Sequence, residues 1–519
     1  MSLLRSIATV GGFTILSRIT GFARDMMIAN VLGAGLLADV FIVAFKFPNL
    51  FRRLFAEGAF SAAFVPLYAG MVETKGQEPA QDFANRSFSA LTVVLVAFIA
   101  AMEVVMPWAI YPFAFGFDAT PGKIEMAAEL TRITFPFLLF ISLVSLQGGV
   151  LNSLGHFAAA AGTPVLLNLT MMASLVVLTP LTPSPAHALA WGTTLSGVVQ
   201  FAWLWWSCRR AGAPIRPRRP RYDADVRLLV RRILPVAFGA GQYQISLLID
   251  TALASMVAPG AVSYLYYADR VNQLPLGVIG IAVGTALLPL LTRSLHAGDE
   301  RGAMASQNRA LEFALLMTAP AAVALALCAT PIVSVLFERG AFGPEETRAT
   351  AAALAAFSIG LPAFVLAKVL TPGFFARHDT KTPVKVATIA LVINIGLNLI
   401  LMGPLKHVGI ALATAFSAWI NALLLGLILY RRGQFRIDDR LQRRLPRLFL
   451  SCAVLGGGLF VGQSYLEAYL SGPFLVRTTA LAVLVTGGMG LFAGLAFLTG
   501  TTRLSDFRGL RRGREEDDV

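Results

Sequence analysis

Long apolar stretches alternate with short polar segments along the whole chain. Spanning a bilayer core takes about 20 consecutive, mostly apolar residues in a helix, and about fourteen stretches meet that length. They lie near residues 10–33, 36–65, 87–111, 128–152, 160–180, 186–207, 230–257, 268–293, 309–331, 347–370, 383–403, 407–430, 446–467 and 476–500. Breakers such as Gly403 and Pro404 separate neighbouring stretches. The pattern predicts an all-α integral membrane protein.

The composition agrees with a chain whose solvent is lipid. Of its 519 residues, 56% are hydrophobic and only 14% are charged, whereas soluble domains carry about 25% charged residues. The three cysteines, Cys208, Cys328 and Cys452, are scattered, and the five histidines do not cluster. Neither a disulfide framework nor a metal site is therefore predicted.

The first residues resemble a signal peptide, because Arg5 precedes an apolar run. No small-residue cleavage site follows, and the apolar pattern continues through Arg18 and Arg24. The segment is therefore predicted to be a retained first helix.

The basic residues alternate from one inter-helix segment to the next. Segment 208–232 holds nine arginines and segment 431–447 holds seven, whereas 181–187 has no Lys or Arg and 258–267 is uncharged. Segment 112–127, another outer segment in this pattern, has Lys123 against two acids. Because positive segments stay inside, both termini are predicted to be cytoplasmic. This distribution accounts for the net charge of +14 without a nucleic-acid partner.

The first twelve predicted helices contain a weak internal repeat. Pro66, Pro136 and Pro164 recur in similar surroundings as Pro289, Pro362 and Pro383. The repeat predicts two pseudo-symmetric six-helix lobes, with a cargo site between them as in many transporters. The predicted boundaries are 1–210 for the first lobe, 211–229 for a basic cytoplasmic linker, 230–432 for the second lobe, 433–502 for two extra helices and 503–519 for a cytoplasmic tail.

Several charged residues fall inside predicted spans. Each costs about 2.5–3.5 kcal/mol at the bilayer centre, so together they must pair or face a wet cavity. They are Arg18, Arg24 and Asp25 in the first span, Asp39, Lys46, Arg52, Arg53 and Glu57 in the second, Asp250 in the seventh, Asp269 and Arg270 in the eighth, and Lys368 in the tenth.

The surplus of these charges is basic, which favours an anionic cargo. The planar guanidinium suits bidentate contact with phosphate. The candidate cargo-binding residues are Arg18, Arg24, Arg52, Arg270, Asp39, Arg53 and Lys46, with Asp39, Lys46 and Arg53 spaced along one helix stripe. Asp39 either orients an arginine or couples to a gate. Asp25, Glu57 and Asp269 are candidate gate or ion-pair residues, and Asp250 is either a cation or proton site or a satisfied core acid.

No enzyme motif stands out among the polar segments. The sequence lacks a phosphate-binding loop, a zinc-protease helix motif and a nucleophile elbow. We therefore predict a transporter without a cofactor, driven by Na⁺ or H⁺ coupling, by the membrane potential or by the cargo gradient. The alternatives are an exporter of drugs or of a polyprenyl-linked oligosaccharide, a polyprenyl-linked glycosyltransferase, and a scaffold for wall synthesis.

Four motifs resemble the MurJ (MviN) family of lipid II flippases. They are residues 17–25 (SRITGFARD), 38–60 (ADVFIVAFKFPNLFRRLFAEGAF), 267–277 (YADRVNQLPLG) and 379–383 (DTKTP). The similarity runs from the first residue to about residue 432, and the last two spans fit the family's helix count.

This resemblance implies the multidrug/oligosaccharidyl-lipid/polysaccharide exporter fold in the bacterial cytoplasmic (inner) membrane. It implies lipid II, the undecaprenyl-pyrophosphate-linked peptidoglycan precursor, as cargo, membrane lipids as neighbours and a cell-wall synthesis complex as a candidate partner. It gives functional importance to Arg18, Arg24, Arg52, Arg270 and Asp39. It also assigns the last two helices to a groove for the lipid tail, and Asp250 is the residue that matches the acid of a sodium site known in some members.

Overall fold

A computed structural model describes residues 3–53, 59–219 and 223–502 of the chain. Within these ranges the regular structure is helical, with seventeen α-helices. They are α1 (Leu3–Leu32), α2 (Leu36–Arg52), α3 (Ala59–Lys75), α4 (Gln77–Ala109), α5 (Lys123–Thr134), α6 (Phe137–Ser153), α7 (Phe157–Ala161), α8 (Thr163–Val177), α9 (Pro185–Arg210), α10 (Ala224–Val257), α11 (Ala261–His296), α12 (Glu300–Leu327), α13 (Ala329–Phe337), α14 (Pro344–Phe375), α15 (Lys381–Arg431), α16 (Asp439–Leu470) and α17 (Phe474–Leu498).

Each predicted span coincides with one or more of these helices, and several boundaries differ. The stretch 36–65 contains α2 and the beginning of α3, and residues 54–58 lie outside the described residues. The stretch 128–152 is α5 and α6, which meet at Pro136, a residue without the amide hydrogen that a continuous helix needs. The two stretches predicted around Pro404 are the two halves of α15, which non-helical backbone at Lys406 separates (φ 51°, ψ −133°), so the predicted break between them is confirmed.

The helices fall into inner and outer classes by exposure. The apolar parts of 123–153 and of α14 are mostly buried, whereas those of α4 and α17 are largely exposed. Val94, Val104 and Leu498 are 63%, 69% and 85% exposed. Apolar surface on this scale belongs against lipid rather than water. Eight helical stretches of the described residues are long and apolar enough to span a membrane, so the count of about fourteen stays a prediction.

The first compact unit comprises Met1–Ser263 together with Arg339–Gly343. Its core contains stacked aromatic rings, with Phe64 within 5.2 Å of Phe60, 5.7 Å of Tyr68 and 5.6 Å of Phe83 between ring centroids. These rings join α3 to α4 near the predicted cytoplasmic side.

The second compact unit comprises Tyr264–Glu338 and Pro344–Val519. Its main core joins α11, α12, α14 and α15 through Leu311, Val369, Phe374 and their neighbours. A smaller cluster of Cys328, Leu455, Leu459 and Leu484 joins α16 and α17 to the end of α12. Arg477 ties α17 to α13 through a 3.0 Å ion pair with Glu338.

The two units do not follow the predicted lobe boundaries residue for residue. Helix α10, predicted to open the second lobe, packs on α3 within the first unit. The predicted lobes describe a sequence repeat and the units describe packing, so the boundaries at 210, 230 and 432 stay predictions.

Candidate functional site

Arg24 is buried in α1 and fixed by two neighbouring side chains. Its Nη2 and Nε lie 2.8 and 3.1 Å from Asp25 Oδ1, and its Nη1 donates to Asn168 Oδ1 at 3.0 Å. The guanidinium carbon also lies 5.6 Å from the centroid of the Phe45 ring on α2. The structure thus places Asp25 in an ion pair, and the pair satisfies the guanidinium in an apolar region.

Asn168 is a residue of this cluster that the sequence analysis missed. Its side-chain nitrogen donates to Ser17 O and Thr20 Oγ1, each at 3.1 Å. It therefore joins α8 to α1 while it orients Arg24. The available signal was a single asparagine in the otherwise apolar first half of α8.

Asp39 is fully buried near the start of α2 and accepts hydrogen bonds from the start of α11. Gly260 N donates to Asp39 Oδ2 at 2.7 Å, and Ser263 donates to Oδ1 from its backbone nitrogen at 3.0 Å and from its hydroxyl at 2.6 Å. A carboxylate at this position satisfies amide groups that a helix N-terminus leaves without internal partners.

The charge partner of Asp39 is Lys123, not an arginine. Lys123 Nζ lies 2.8 Å from Asp39 Oδ2, and the two side chains are 3% and 1% exposed. In this structure Asp39 pairs with a lysine that the sequence analysis did not count among the intramembrane charges. The two roles predicted for Asp39, orienting an arginine or coupling to a gate, stay predictions. The preceding residues fold into 3₁₀ turns that lie against α10, with Gly116 N donating to Ser255 Oγ at 3.1 Å.

The basic residues along α2 occupy different environments. Lys46 is half-buried and donates to Thr251 Oγ1 of α10 at 3.2 Å. Arg52 is half-buried and donates to Asn49 Oδ1 at 2.8 Å, whereas Arg53 is exposed. Along the predicted stripe, exposure therefore increases from the buried Asp39 through Lys46 to Arg53. Helix α2 contains Pro48 and ends at Arg52, so Arg53 lies at its C-cap. Glu57 lies outside the described residues.

Arg18 is exposed and lies on α1, N-terminal to Arg24. The apolar side chains of Ile15 and Ile19 beside it are 63% and 62% exposed. Arg18 is therefore accessible in this structure, in contrast to the buried Arg24.

Arg270 belongs to the second unit and is held by a tyrosine of its own helix. Its Nη2 donates to Tyr266 Oη at 3.1 Å, and its guanidinium carbon lies 4.9 Å from the Tyr266 ring centroid. Asp269 accepts a hydrogen bond from Gln273. A cavity shared by Arg270 with the arginines of the first unit stays a prediction.

Asp250, the candidate cation site, is half-buried on α10. Across the described ranges, no group of three or more His, Cys, Asp or Glu side chains has the arrangement of a metal site. The role of Asp250 stays a prediction.

The helical membrane fold with buried intramembrane charges defines a multi-pass membrane transporter. Its fold is that of a solved multidrug resistance MATE family transporter of the MOP superfamily in an inward-facing conformation, with a TM-score of 0.65 and 15% identity over 80% of this chain and 94% of that one. That likeness confirms the predicted exporter fold.

The comparisons with MurJ proteins are closer. The model of the family "Lipid II flippase MurJ" matches residues 28–480. A solved lipid II flippase MurJ in an inward closed conformation has a TM-score of 0.78 and 25% identity, over 94% of this chain and 97% of that one. A probable lipid II flippase MurJ of Rhizobium tropici is 44% identical over 99% of this chain and 98% of its own, and a lipid II flippase MurJ of Burkholderia cenocepacia is 37% identical over 88% and 89%. The chain belongs to the MurJ family.

Proposed function

We propose that this chain moves lipid II from the inner to the outer leaflet of the bacterial cytoplasmic membrane. The observation that carries the proposal is the match to lipid II flippases over nearly the full length of both chains. The arginines that the family resemblance marks as important, Arg18, Arg24, Arg52 and Arg270, are all present. Both termini lie on the cytoplasmic side in this proposal, and an enzyme complex of wall synthesis supplies the cargo.

In the proposed cycle, the pyrophosphate of the cargo meets an exposed arginine before a buried one. Arg18 is exposed, whereas Nε, Nη1 and Nη2 of Arg24 all have protein partners. Arg18 makes the first contact, and Arg24 adds its charge as the Arg24–Asp25 pair rearranges. Phosphate oxygens then replace the carboxylate as acceptors for the guanidinium. Alternating access follows if the cargo binds the closing form more tightly than the open form.

The proposed energy source is the membrane potential or a gradient of Na⁺ or H⁺. Moving one elementary charge through a potential of 100 mV is worth about 2.3 kcal/mol. A cation bound at Asp250 would couple the same cycle to an ion gradient. A transport assay at controlled membrane potential and ion composition tests these proposed energy sources.

The main rival is export of cationic drugs on the same fold. The MATE transporter resembles this chain at 15% identity, so the likeness concerns the fold alone. The intramembrane charges of this chain are mostly basic, and a cationic drug would be repelled by them. An anionic headgroup is favoured for the same reason.

Transport in reconstituted vesicles tests the proposal. The purified chain is inserted into vesicles that contain lipid II, and a membrane-impermeant reagent reports how fast the headgroup changes leaflet. The parent is expected to move lipid II much faster than protein-free vesicles and faster than Arg24→Ala. Arg301→Ala is the matched control, because Arg301 is an exposed arginine of α12 that is not among the candidate cargo-binding residues. A parent no faster than protein-free vesicles would refute the proposed activity.

A further inference from the structure

Lys123 occupies a position that is electrostatically unfavourable for a lysine. It is the first residue of α5, where the helix dipole repels a cation. Its side chain is also almost completely buried, so its charge has lost most of its hydration. A lysine at this position must therefore be compensated by specific neighbours.

Two neighbours supply that compensation. Asp39 Oδ2 lies 2.8 Å from Nζ, and the ring centroid of Phe117 lies 4.1 Å from Nζ. The ring face attracts a cation through its quadrupole, and the carboxylate supplies the opposite full charge. The buried charge of Lys123 is thus stabilised by Asp39 and Phe117 and not by its own helix.

Asp39 has a matching requirement for Lys123. Three of its four hydrogen-bond donors are neutral, namely Gly260 N, Ser263 N and the Ser263 hydroxyl. Only Lys123 among the described donors brings a positive charge. Removing one partner of a buried pair leaves the other charge uncompensated, which is far costlier than removing both.

The pair also joins three parts of the chain. Asp39 belongs to α2, Lys123 to α5 and Ser263 to the first turn of α11, and Gly260 immediately precedes that helix. A second contact, from Thr134 Oγ1 to Ala44 O at 2.8 Å, joins α2 and α5 deeper along the helices. Helix α11 is the helix that carries Arg270 further along.

We propose that Lys123 is a positioning residue of the flippase, whose charge holds Asp39 in place and so fixes the start of α11 against α2 and α5. This inference rests on the proposed function, because positioning α11 matters for transport only if Arg270 takes part in it. Lys123 acts through Asp39 and does not itself contact the cargo.

Growth of a host depleted of its own lipid II flippase provides the first test. At matched membrane expression, Lys123→Met is expected to abolish rescue, although methionine preserves most of the apolar stem. Asp39→Asn is expected to impair rescue, and the double variant is expected to rescue better than either single variant because it leaves no lone buried charge. Lys75→Met, at an exposed lysine of α3, is expected to rescue like the parent.

Two growth results would overturn the inference. One is rescue by Lys123→Met equal to that of the parent. The other is loss of rescue in Lys123→Met that the second substitution does not improve, since the lysine would then act independently of Asp39. Failure of the parent itself would count against the proposed function. The role of the Lys123–Asp39 pair is then tested by a measurement that needs no cargo.

That second measurement is chemical labelling at the start of α11. Ala261 is fully buried, so Ala261→Cys is expected to react slowly with a membrane-impermeant maleimide added from outside. Adding Lys123→Met to Ala261→Cys should raise the labelling severalfold. Adding Asp39→Asn to that double variant should lower the labelling again. Leu181→Cys, at a position 76% exposed, reports reagent access. Equal labelling with and without Lys123→Met would refute the positioning role.

Discussion

A buried arginine keeps its position only when several neighbours satisfy its donors. Arg24 meets this condition through Asp25 on the same helix and Asn168 on α8. Asn168 in turn donates to Ser17 and Thr20 of α1. One amide side chain therefore hydrogen-bonds both to the arginine and to the helix that carries it.

Asn168→Ala is expected to lower the free energy of unfolding by about 1–3 kcal/mol, because a buried guanidinium loses a hydrogen-bond partner. Thermal unfolding in detergent measures the change. Asn152→Ala, at an exposed asparagine of α6, should leave the midpoint close to that of the parent. An equal effect of the two substitutions would contradict the role given to Asn168.

The sequence predicted the charged members of these clusters better than their polar partners. Arg24, Asp25 and Asp39 were identified because a charge inside an apolar span is costly wherever the chain folds. Lys123 was not counted among the intramembrane charges because it lies in segment 112–127, outside the predicted spans. Its burial depends on how the 3₁₀ turns before it pack on α10, which no local pattern encodes.

At the scale of elements, α1 is followed by Gly33, which packs closely against the backbone of another segment. Gly33 has a φ of +66°, and a Cβ built on it would lie 2.5 Å from Ala341 O. The same region is held by a 2.9 Å hydrogen bond from Ala341 N to Asn30 O. A glycine is therefore required at position 33 for two separate reasons, conformation and space.

Gly33→Ala is expected to destabilise the protein by about 1–2 kcal/mol from the left-handed conformation, plus about 1–3 kcal/mol from overpacking. Gly212→Ala is the matched control, because Gly212 has a φ of +75° with nothing within 4 Å of its built Cβ. Thermal unfolding should show the larger loss for Gly33→Ala. Similar losses would mean that the contact with Ala341 adds nothing.

A second element, the loop before α15, is held by the half-buried Asp379. Hydrogen bonds from Arg432 and then from Thr382 hold the pKa of Asp379 well below its ordinary value of 3.8. Arg432 Nη1 lies 2.7 Å from Asp379 Oδ2, and Thr382 N lies 3.0 Å from Oδ1. These contacts give a structural reason for the motif at 379–383.

Because the folded-state pKa of Asp379 is lowered, its stabilisation is complete above pH 3.8 and is lost as the pH falls further. Asp379→Asn should therefore lower the unfolding midpoint at neutral pH, and the gap to the parent should narrow below pH 3.8. The gap should also shrink at high salt, since the pair is partly exposed. A gap that does not change with pH would contradict the ionic contribution.

Element positions were more predictable than element breaks. Hydrophobic length locates a span, whereas the division of 128–152 at Pro136 depends on local packing. The break within α15 was predictable from Gly403 and Pro404. The residue at which it falls was not, because Lys406 has the positive φ that a glycine or asparagine would have signalled.

At the scale of the whole molecule, lipid contact and charge placement lead to the same class of protein. Outer helices such as α17 present apolar surface to the membrane, and the predicted spans contain arginines whose charge is proposed to bind an anionic cargo. Family membership gives that cargo its proposed identity. The account therefore depends on the arginines acting on the cargo rather than only pairing with neighbouring acids.

The most direct test of that claim is rescue of a host depleted of its own lipid II flippase. The parent should restore wall synthesis, and Arg18→Ala, Arg24→Ala, Arg52→Ala and Arg270→Ala should each fail at matched membrane expression, while Arg301→Ala should succeed. Rescue by the four arginine variants as complete as that by the parent would contradict the account, because the four arginines would then be structural only.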